Sequence, residues 1–329
     1  MTMKLSQPFV RLPYRFDVER LQHELSQFNQ TAWMEHPNRL NGNSAIPLIS
    51  LNGGDNDEFS GHMQVTPHLQ RCDYVQQVMA GFGEVLARSR FMRLSPGSEV
   101  SEHVDFNYHW YNHVRIHIPI TTTPDVTFFC GPDQVHMQAG ECWIFDSWKR
   151  HKVVNPSNQE RIHLVIDTAG SSRFWKIVRQ MEQFGSARPN PDINSKISLL
   201  AFDPKSSATF KTERFNVAPV MSPGELEAIA NELIGLFSDF EQNDPEIVRE
   251  YVQLLEGLSK DWRECWHLYG YSEEGLPHYK SLLNNTFKQL RPNPRAIITK
   301  TNQIGINPII VQRIIRAALN TDQLDRFKH

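Results

Sequence analysis

Val114-Arg115-Ile116-His117-Ile118-Pro119-Ile120 decides the fold class. Apolar residues hold every second position. In an extended chain Val114, Ile116, Ile118 and Ile120 therefore share one face, and Arg115, His117 and Pro119 share the other. On a helix, residues two apart would diverge by ~200° and scatter the aliphatic set. The stretch is a strand that buries one face and turns two basic groups the other way. Working outward, Val126–Cys130, Glu141–Phe145, Lys152–Asn155 and Arg161–Asp167 are further short β-rich runs. Turn signals divide them: Thr123-Pro124-Asp125, Gly140, and Pro156-Ser157-Asn158-Gln159, read as a hairpin connection. Short strands with turns every ~8–12 residues indicate a sandwich or barrel.

Helical periodicity flanks this block. Val18, Leu21 and Leu25 predict a helix over Asp17–Phe28, and Val75, Val78, Met79, Phe82 and Leu86 predict one over Cys72–Ser89. Between them, the polar region from Asn38 to Asn56 reads as loops round a short strand, Ile46–Leu51, with a turn at Asn52-Gly53-Gly54-Asp55. Those loops, from Asn41 to Asn56, are candidate lid or specificity elements. A helix is expected from Ser171 to about Phe184, then a Pro/Ser/Asn-rich linker. Ser222-Pro223-Gly224-Glu225 and Asp244-Pro245 open further helices, and Pro308–Leu319 forms a last one. The expected division is 1–184, a linker over 185–221, and a smaller all-α domain over 222–329.

The chain has 329 residues, 40% apolar and 22% charged, with 20 prolines and 17 glycines, which is globular rather than disordered or collagen-like composition. A net charge of −3 argues against a nucleic-acid partner held by phosphate neutralisation. No apolar run reaches the ~18 residues of a membrane span, and no signal peptide is read at the N-terminus. Cys72, Cys130, Cys142 and Cys265 lie far apart without a C-x-x-C, which suits reduced thiols and a cytoplasmic location.

The chemistry is in Ser101-Glu102-His103-Val104-Asp105, with His151 following later. His103 and Asp105, two apart, can converge on one metal only in an extended chain. His151 completes two imidazoles and a carboxylate, a facial set that leaves open positions on Fe(II); zinc accepts the same ligands. Arg161 selects between them. Ten residues beyond His151 across the expected hairpin, its guanidinium can grip the far carboxylate of a 2-oxo dicarboxylate whose other end chelates iron.

These residues resemble the 2-oxoglutarate/Fe(II) oxygenases of the aspartyl/asparaginyl β-hydroxylase type, which include bacterial proline hydroxylases. The likeness extends over about residues 85–168, through Ser95-Pro96-Gly97, Arg115-Ile116-His117-Ile118-Pro119, Gly140-Glu141 to Asp146, and His163-Leu164-Val165-Ile166-Asp167. The resemblance implies a mainly β, double-stranded β-helix (jelly-roll, cupin-like) barrel with flanking helices over 1–184. It implies His103, Asp105 and His151 as iron ligands, with Arg161, Arg115 and His117 facing 2-oxoglutarate. No catalytic residue beyond the ligands is implied. Fe(II), 2-oxoglutarate and O2 would hydroxylate an unactivated C–H of an amino acid or of an Asp/Asn-type residue in a peptide, releasing succinate and CO2. Asp105 fits hydroxylation, since a halogenating relative needs a small residue there. The alternatives are a desaturating oxygenase on the same iron and a non-catalytic cupin-like module that binds a metal and a carboxylate.

Other residues receive plainer readings. Arg115 could pair with a carboxylate such as Asp146, and Asp146 and Asp167 could fix loops or orient a ligand imidazole. His109, His113, His136 and His163 are read as hydrogen-bonding barrel residues. Phe106, Tyr108, Trp110 and Tyr111 suit a substrate wall and a barrel core equally.

Overall fold

The computed structural model describes residues 5–35, 42–185, 191–322 and 324. The alternating segment Val114–Thr121 is a central strand of a ten-stranded sheet. The main order is Ser198–Leu200, Phe9–Phe16, Glu141–Phe145, Val114–Thr121, Arg161–Thr168, Val85–Leu94, Asn43–Leu51 and Met34–Glu35. Opposite it is a four-stranded sheet ordered Ser98–His103, His151–Asn155, Thr127–Cys130 and Asp133–Val135. Phe9, Leu94, Phe128, Trp143 and Val153 fill the space between the sheets. This is a barrel, as the short strands foretold, and of the jelly-roll kind that the resemblance implied. Ile116, Ile118 and Ile120 lie on the large sheet's outer face, in a second core with Leu21, Val75, Val78 and Phe174 from three helices.

Register fixes what the inner face carries. Directly opposed residues on antiparallel strands share a face. Trp143, His117, Val165, Arg90 and Pro47 form one cross-strand row, and Pro119, His163, Met92 and Ala45 form the next. The inner face of the large sheet is thus unusually rich in cations and imidazoles.

Several segments depart from the sequence reading. The helix expected to reach Ser89 ends at Phe82, because Gly83 adopts φ 64° and caps it; Val85–Leu94 then runs as a strand between Asn43–Leu51 and Arg161–Thr168. Residues 43–51 are correspondingly a strand of the large sheet rather than part of a lid, while 36–41 lie outside the described residues. Pro156-Ser157-Asn158-Gln159 is no hairpin turn. His151–Asn155 pairs in the small sheet and Arg161–Thr168 in the large one, so the chain crosses between sheets there. Asn155 holds that crossing, its side-chain amide donating to the carbonyls of Leu94, Ser95 and Gln159.

The segment expected to be a linker extends the barrel. Ser198–Leu200 runs parallel to Phe9–Phe16, and Lys211–Thr212 parallel to Val85–Leu94. The chain divides into a barrel unit running to Arg214 and a helical unit from Phe215 onward, and Phe106–Asn112 belongs to the latter. That unit contains Pro223–Phe237, Pro245–Tyr269, the unforeseen Leu276–Gln289, and Ile306–Ile310 running into one π-helical turn. Ser222 and Asp244 cap the first two as expected, each accepting backbone N–H bonds. Among the described residues, no helix is long and apolar enough to cross a membrane.

Candidate metal centre

His103 ends its strand and stands directly opposite His151, so their rings lie on one face with centroids 4.2 Å apart. Asp105, just past the strand, places Oδ1 4.0 Å from His103 Nε2 and Oδ2 3.7 Å from His151 Nε2. One ligand atom from each residue falls within 4.8 Å of the others. Both histidines are oriented in the same way. His103 Nδ1 donates to the Ser101 carbonyl at 2.7 Å and His151 Nδ1 to the Lys149 carbonyl at 2.8 Å. A carbonyl can only accept, so the proton sits on Nδ1 and the Nε2 lone pair faces the shared centre. Burial also lowers the His151 pKa, which favours the neutral, ligating form. His151 is buried and His103 is exposed, leaving the centre open on one side.

Inward from this centre the Phe145 ring lies between two imidazoles, 4.9 Å from His151 and 5.2 Å from His117. His117 in turn lies 5.8 Å from His163, whose Nδ1 accepts a 2.7 Å bond from Arg161 Nη2. Arg161 is 4% exposed, packs over the Phe128 ring, and has no carboxylate partner among the described residues. Arg161 Nε, His163 Nε2 and both ring nitrogens of His117 are buried without a hydrogen bond. Unpaired buried polar atoms cost ~1–3 kcal/mol each, so four together on one face mark a place for a ligand rich in acceptors. Burial alone pulls the Arg161 guanidinium down to about 9.

The two imidazoles also make stability depend on pH. Burial and the nearby Arg161 cation hold His117 and His163 well below the usual histidine value. Below ~6.5 the unfolded chain takes up protons that these rings refuse in the folded state. The denaturation midpoint is therefore expected to fall between pH ~7.5 and ~5, less steeply in His163→Gln. Equal slopes in the two proteins would show that His163 is protonated in the fold.

Arg115 is the residue whose surroundings differ most from a free cosubstrate ligand. Its Nε and Nη2 donate to the two oxygens of fully buried Asp167 at 2.6 and 2.8 Å, and its Nη1 faces Met92 Sδ. The ion pair is with Asp167; Asp146 instead accepts from the Trp148 N–H and meets Lys149. Asp167 also lies 3.8 Å from Arg88, and Asp57 pairs with both Arg88 and Arg90. Arg88 and Arg90 escape the sequence reading because helical spacing continues through them. The opposing signal is their period-two placement in Arg88-Ser89-Arg90-Phe91-Met92. Asp167→Asn removes the buried carboxylate that Arg115 and Arg88 both face. The expected loss is ~3–5 kcal/mol in urea denaturation, and an unchanged midpoint would show that the arginines find other partners.

His113 bonds Glu213 at 2.6 Å and His136 the Val126 carbonyl, both in the barrel unit. His109 is not a barrel residue: it lies on the short helix Tyr108–Asn112, whose Tyr108 bonds Glu225 and whose Tyr111 packs under Arg313. The aromatic run thus belongs to the helical unit, where Tyr111 is buried and Phe106, Tyr108 and Trp110 are partly exposed. All four cysteines are buried free thiols.

Barrel and site together define a jelly-roll protein that gathers two imidazoles and one carboxylate in an arrangement able to hold a metal ion. Residues 18–170 match the family model "Aspartyl/Asparaginyl beta-hydroxylase". No curated protein is matched by the sequence. Among solved structures, a prolyl-4-hydroxylase of Pseudomonas putida is similar at 14% identity and TM-score 0.35, covering 50% of this chain and 92% of its own. An oxidoreductase of the 2OG-Fe(II) oxygenase family from Burkholderia pseudomallei is similar at 16% identity and TM-score 0.33, covering 46% and 78%. A cupin domain of Bordetella pertussis gives 18% identity and TM-score 0.22, covering 38% and 92%.

Proposed function

We propose that this chain is an Fe(II)- and 2-oxoglutarate-dependent dioxygenase that hydroxylates an unactivated C–H of an amino acid or of an Asp/Asn-type residue in a peptide. One observation carries the reading: a buried arginine, Arg161, lacks a carboxylate partner among the described residues, on the inner face that leads to a His-Asp-His cluster. A ligand with a carboxylate at one end and a chelating 2-oxo acid at the other satisfies both features at once.

His103 and His151 would hold the metal through Nε2 and Asp105 through its carboxylate, a donor set suited to Fe(II) with open positions. Iron bound there would supply, with 2-oxoglutarate and O2, the oxidising power for C–H hydroxylation, 2-oxoglutarate being converted to succinate and CO2. The chain's own part is positional. The Arg161 fork fixes the distal carboxylate, His163 orients that fork through Nδ1, and His117 offers a ring N–H to the bound anion. Phe128, Trp143 and Phe145 wall the inner face and exclude water.

The test is succinate formation from 2-oxoglutarate by the purified chain, requiring both Fe(II) and O2. Binding of both ligands without turnover would make the protein a metal- and carboxylate-binding module instead. Product mass separates the oxidative outcomes: hydroxylation adds one oxygen atom, whereas desaturation removes two hydrogens.

A further inference from the structure

We infer that Arg313, a buried arginine of the helical unit, is a positioning residue for the metal centre: by holding the Phe106 carbonyl it sets the direction of Asp105. This rests on reading His103, Asp105 and His151 as metal ligands. The chain passes from the barrel unit to the helical unit at the bond between Asp105 and Phe106, and returns at His113. Asp105 is thus the barrel's last residue before the excursion. It lies outside any strand or helix, between Ser98–His103 and Tyr108–Asn112. No sheet ladder aims its carboxylate. The carboxylate stands 4.0 Å from His103 Nε2 and 3.7 Å from His151 Nε2, beyond direct hydrogen-bond reach. Its direction therefore comes from the backbone that carries it.

Two bonds bracket that backbone, one inside each unit. Upstream, the Asp105 N–H donates to the Ser147 carbonyl of the barrel at 3.0 Å. Downstream, Arg313 Nε donates to the Phe106 carbonyl at 2.9 Å within the helical unit. Only the soft dihedrals of Asp105 and Phe106 separate the two anchors. Loss of the second anchor frees the peptide that follows the ligand, and a ligand misplaced by ~1 Å is a poor one. Tyr108 fastens the same segment to Glu225, but further along the chain from Asp105.

Arg313 is itself held in place. It is 1% exposed, its guanidinium lies 5.1 Å from the centre of the Tyr111 ring, and its Nη1 donates to Glu232 at 3.4 Å. It sits in the π-helical turn Val311–Ile315, closed by the Arg316 N–H donating to the Val311 carbonyl at 2.9 Å. Such turns are rare and occur frequently at functional sites. Burying a cation is costly even when it is paired, and an apolar side chain would serve the packing alone. What the guanidinium adds, beside its pairing with Glu232, is the bond to the residue after a metal ligand.

The experiment titrates the metal-free full chain with Co(II), whose visible spectrum reports the number and type of its ligands. Arg313→Met is expected to weaken Co(II) binding by about tenfold or more, since supports of metal ligands cost ~10–100-fold when removed. Arg313→Lys keeps a donor within reach of the Phe106 carbonyl and should recover most of that loss. Tyr108→Phe loosens the same segment without touching Phe106, and should leave the affinity within about twofold of wild type. On an Asp105→Ala background, Arg313→Met should cost nothing further, because its effect travels through Asp105. Hydrogen exchange of the metal-free chain gives a second readout. Arg313→Met should speed exchange at the Asp105 amide by at least about tenfold, while the amides of Ile116 and Ile118 keep their rates. Melting temperatures verify each fold, and Arg313→Gln decides if Arg313→Met does not fold, with a smaller loss of the same sign. Unchanged Co(II) affinity, an equal loss in Tyr108→Phe, a full further loss on the Asp105→Ala background, or unchanged exchange at Asp105 overturns the positioning role. A wild type that binds no Co(II) instead overturns the metal reading, and exchange at the Asp105 amide then decides alone whether Arg313 holds the segment.

Discussion

Replacing Arg161 by methionine is expected to raise KM for 2-oxoglutarate by roughly 30-fold or more and to raise the melting temperature of the ligand-free protein. Both effects follow from one fact. The guanidinium is buried, stacked over Phe128, and among the described residues bonded only to the neutral His163 imidazole. Its charge is poorly solvated, with its pKa brought down to about 9, so it burdens the fold until an anion arrives. Methionine fills similar space with no charge to desolvate. Removing one partner of a buried charge pair costs ~2–5 kcal/mol of binding, which is the source of the 30-fold floor. Arg161→Lys keeps the charge and loses the fork, so an intermediate KM is expected. Steady-state kinetics and thermal melts check both signs. A destabilised Arg161→Met with unchanged KM would show that Arg161 is structural and binds no cosubstrate.

Asp105→Ala is expected to reduce iron-dependent turnover by at least ~100-fold and to weaken Fe(II) binding, while the metal-free fold stays within ~0.5 kcal/mol of wild type. Even outer groups that only orient metal ligands cost ~10–100-fold when removed, and Asp105 supplies an oxygen of the set itself. The fold is insulated because the backbone N–H of Asp105, not its carboxylate, ties the segment to the Ser147 carbonyl at 3.0 Å. His151→Ala should match it in turnover. Full activity in either variant would remove the metal assignment, and Fe(II) titration followed by fluorescence would show whether the ion still binds.

Much of this is legible along the chain because the signals are local. Period-two alternation marks Val114–Thr121, and caps at Ser222 and Asp244 place two helix starts to the residue. The i, i+2 spacing of His103 and Asp105 requires an extended chain, and the extended chain is there. Where two local signals compete, the reading fails. Val75 to Leu86 keep helical spacing past Gly83, and only the left-handed conformation of that glycine stops the helix and starts the strand bearing Arg88 and Arg90. The π-helical turn at Val311–Ile315 and the helix Leu276–Gln289 lack a cap or stripe strong enough to announce them.

Sequence by itself determined the alternating strand Val114–Thr121, the starts of the helices capped by Ser222 and Asp244, and the extended spacing of His103 and Asp105, since each depends on residues a few positions apart. Tertiary structure alone decided that His151 and Arg161 stand on opposite sheets rather than in one hairpin, and that Phe106–Asn112 joins the helical unit. It alone brought Asp57 and Asp167 against three arginines from two other strands. The physical reason is that charge balance in a barrel depends on strand order and register, which join residues far apart in the chain and leave no periodic trace in it.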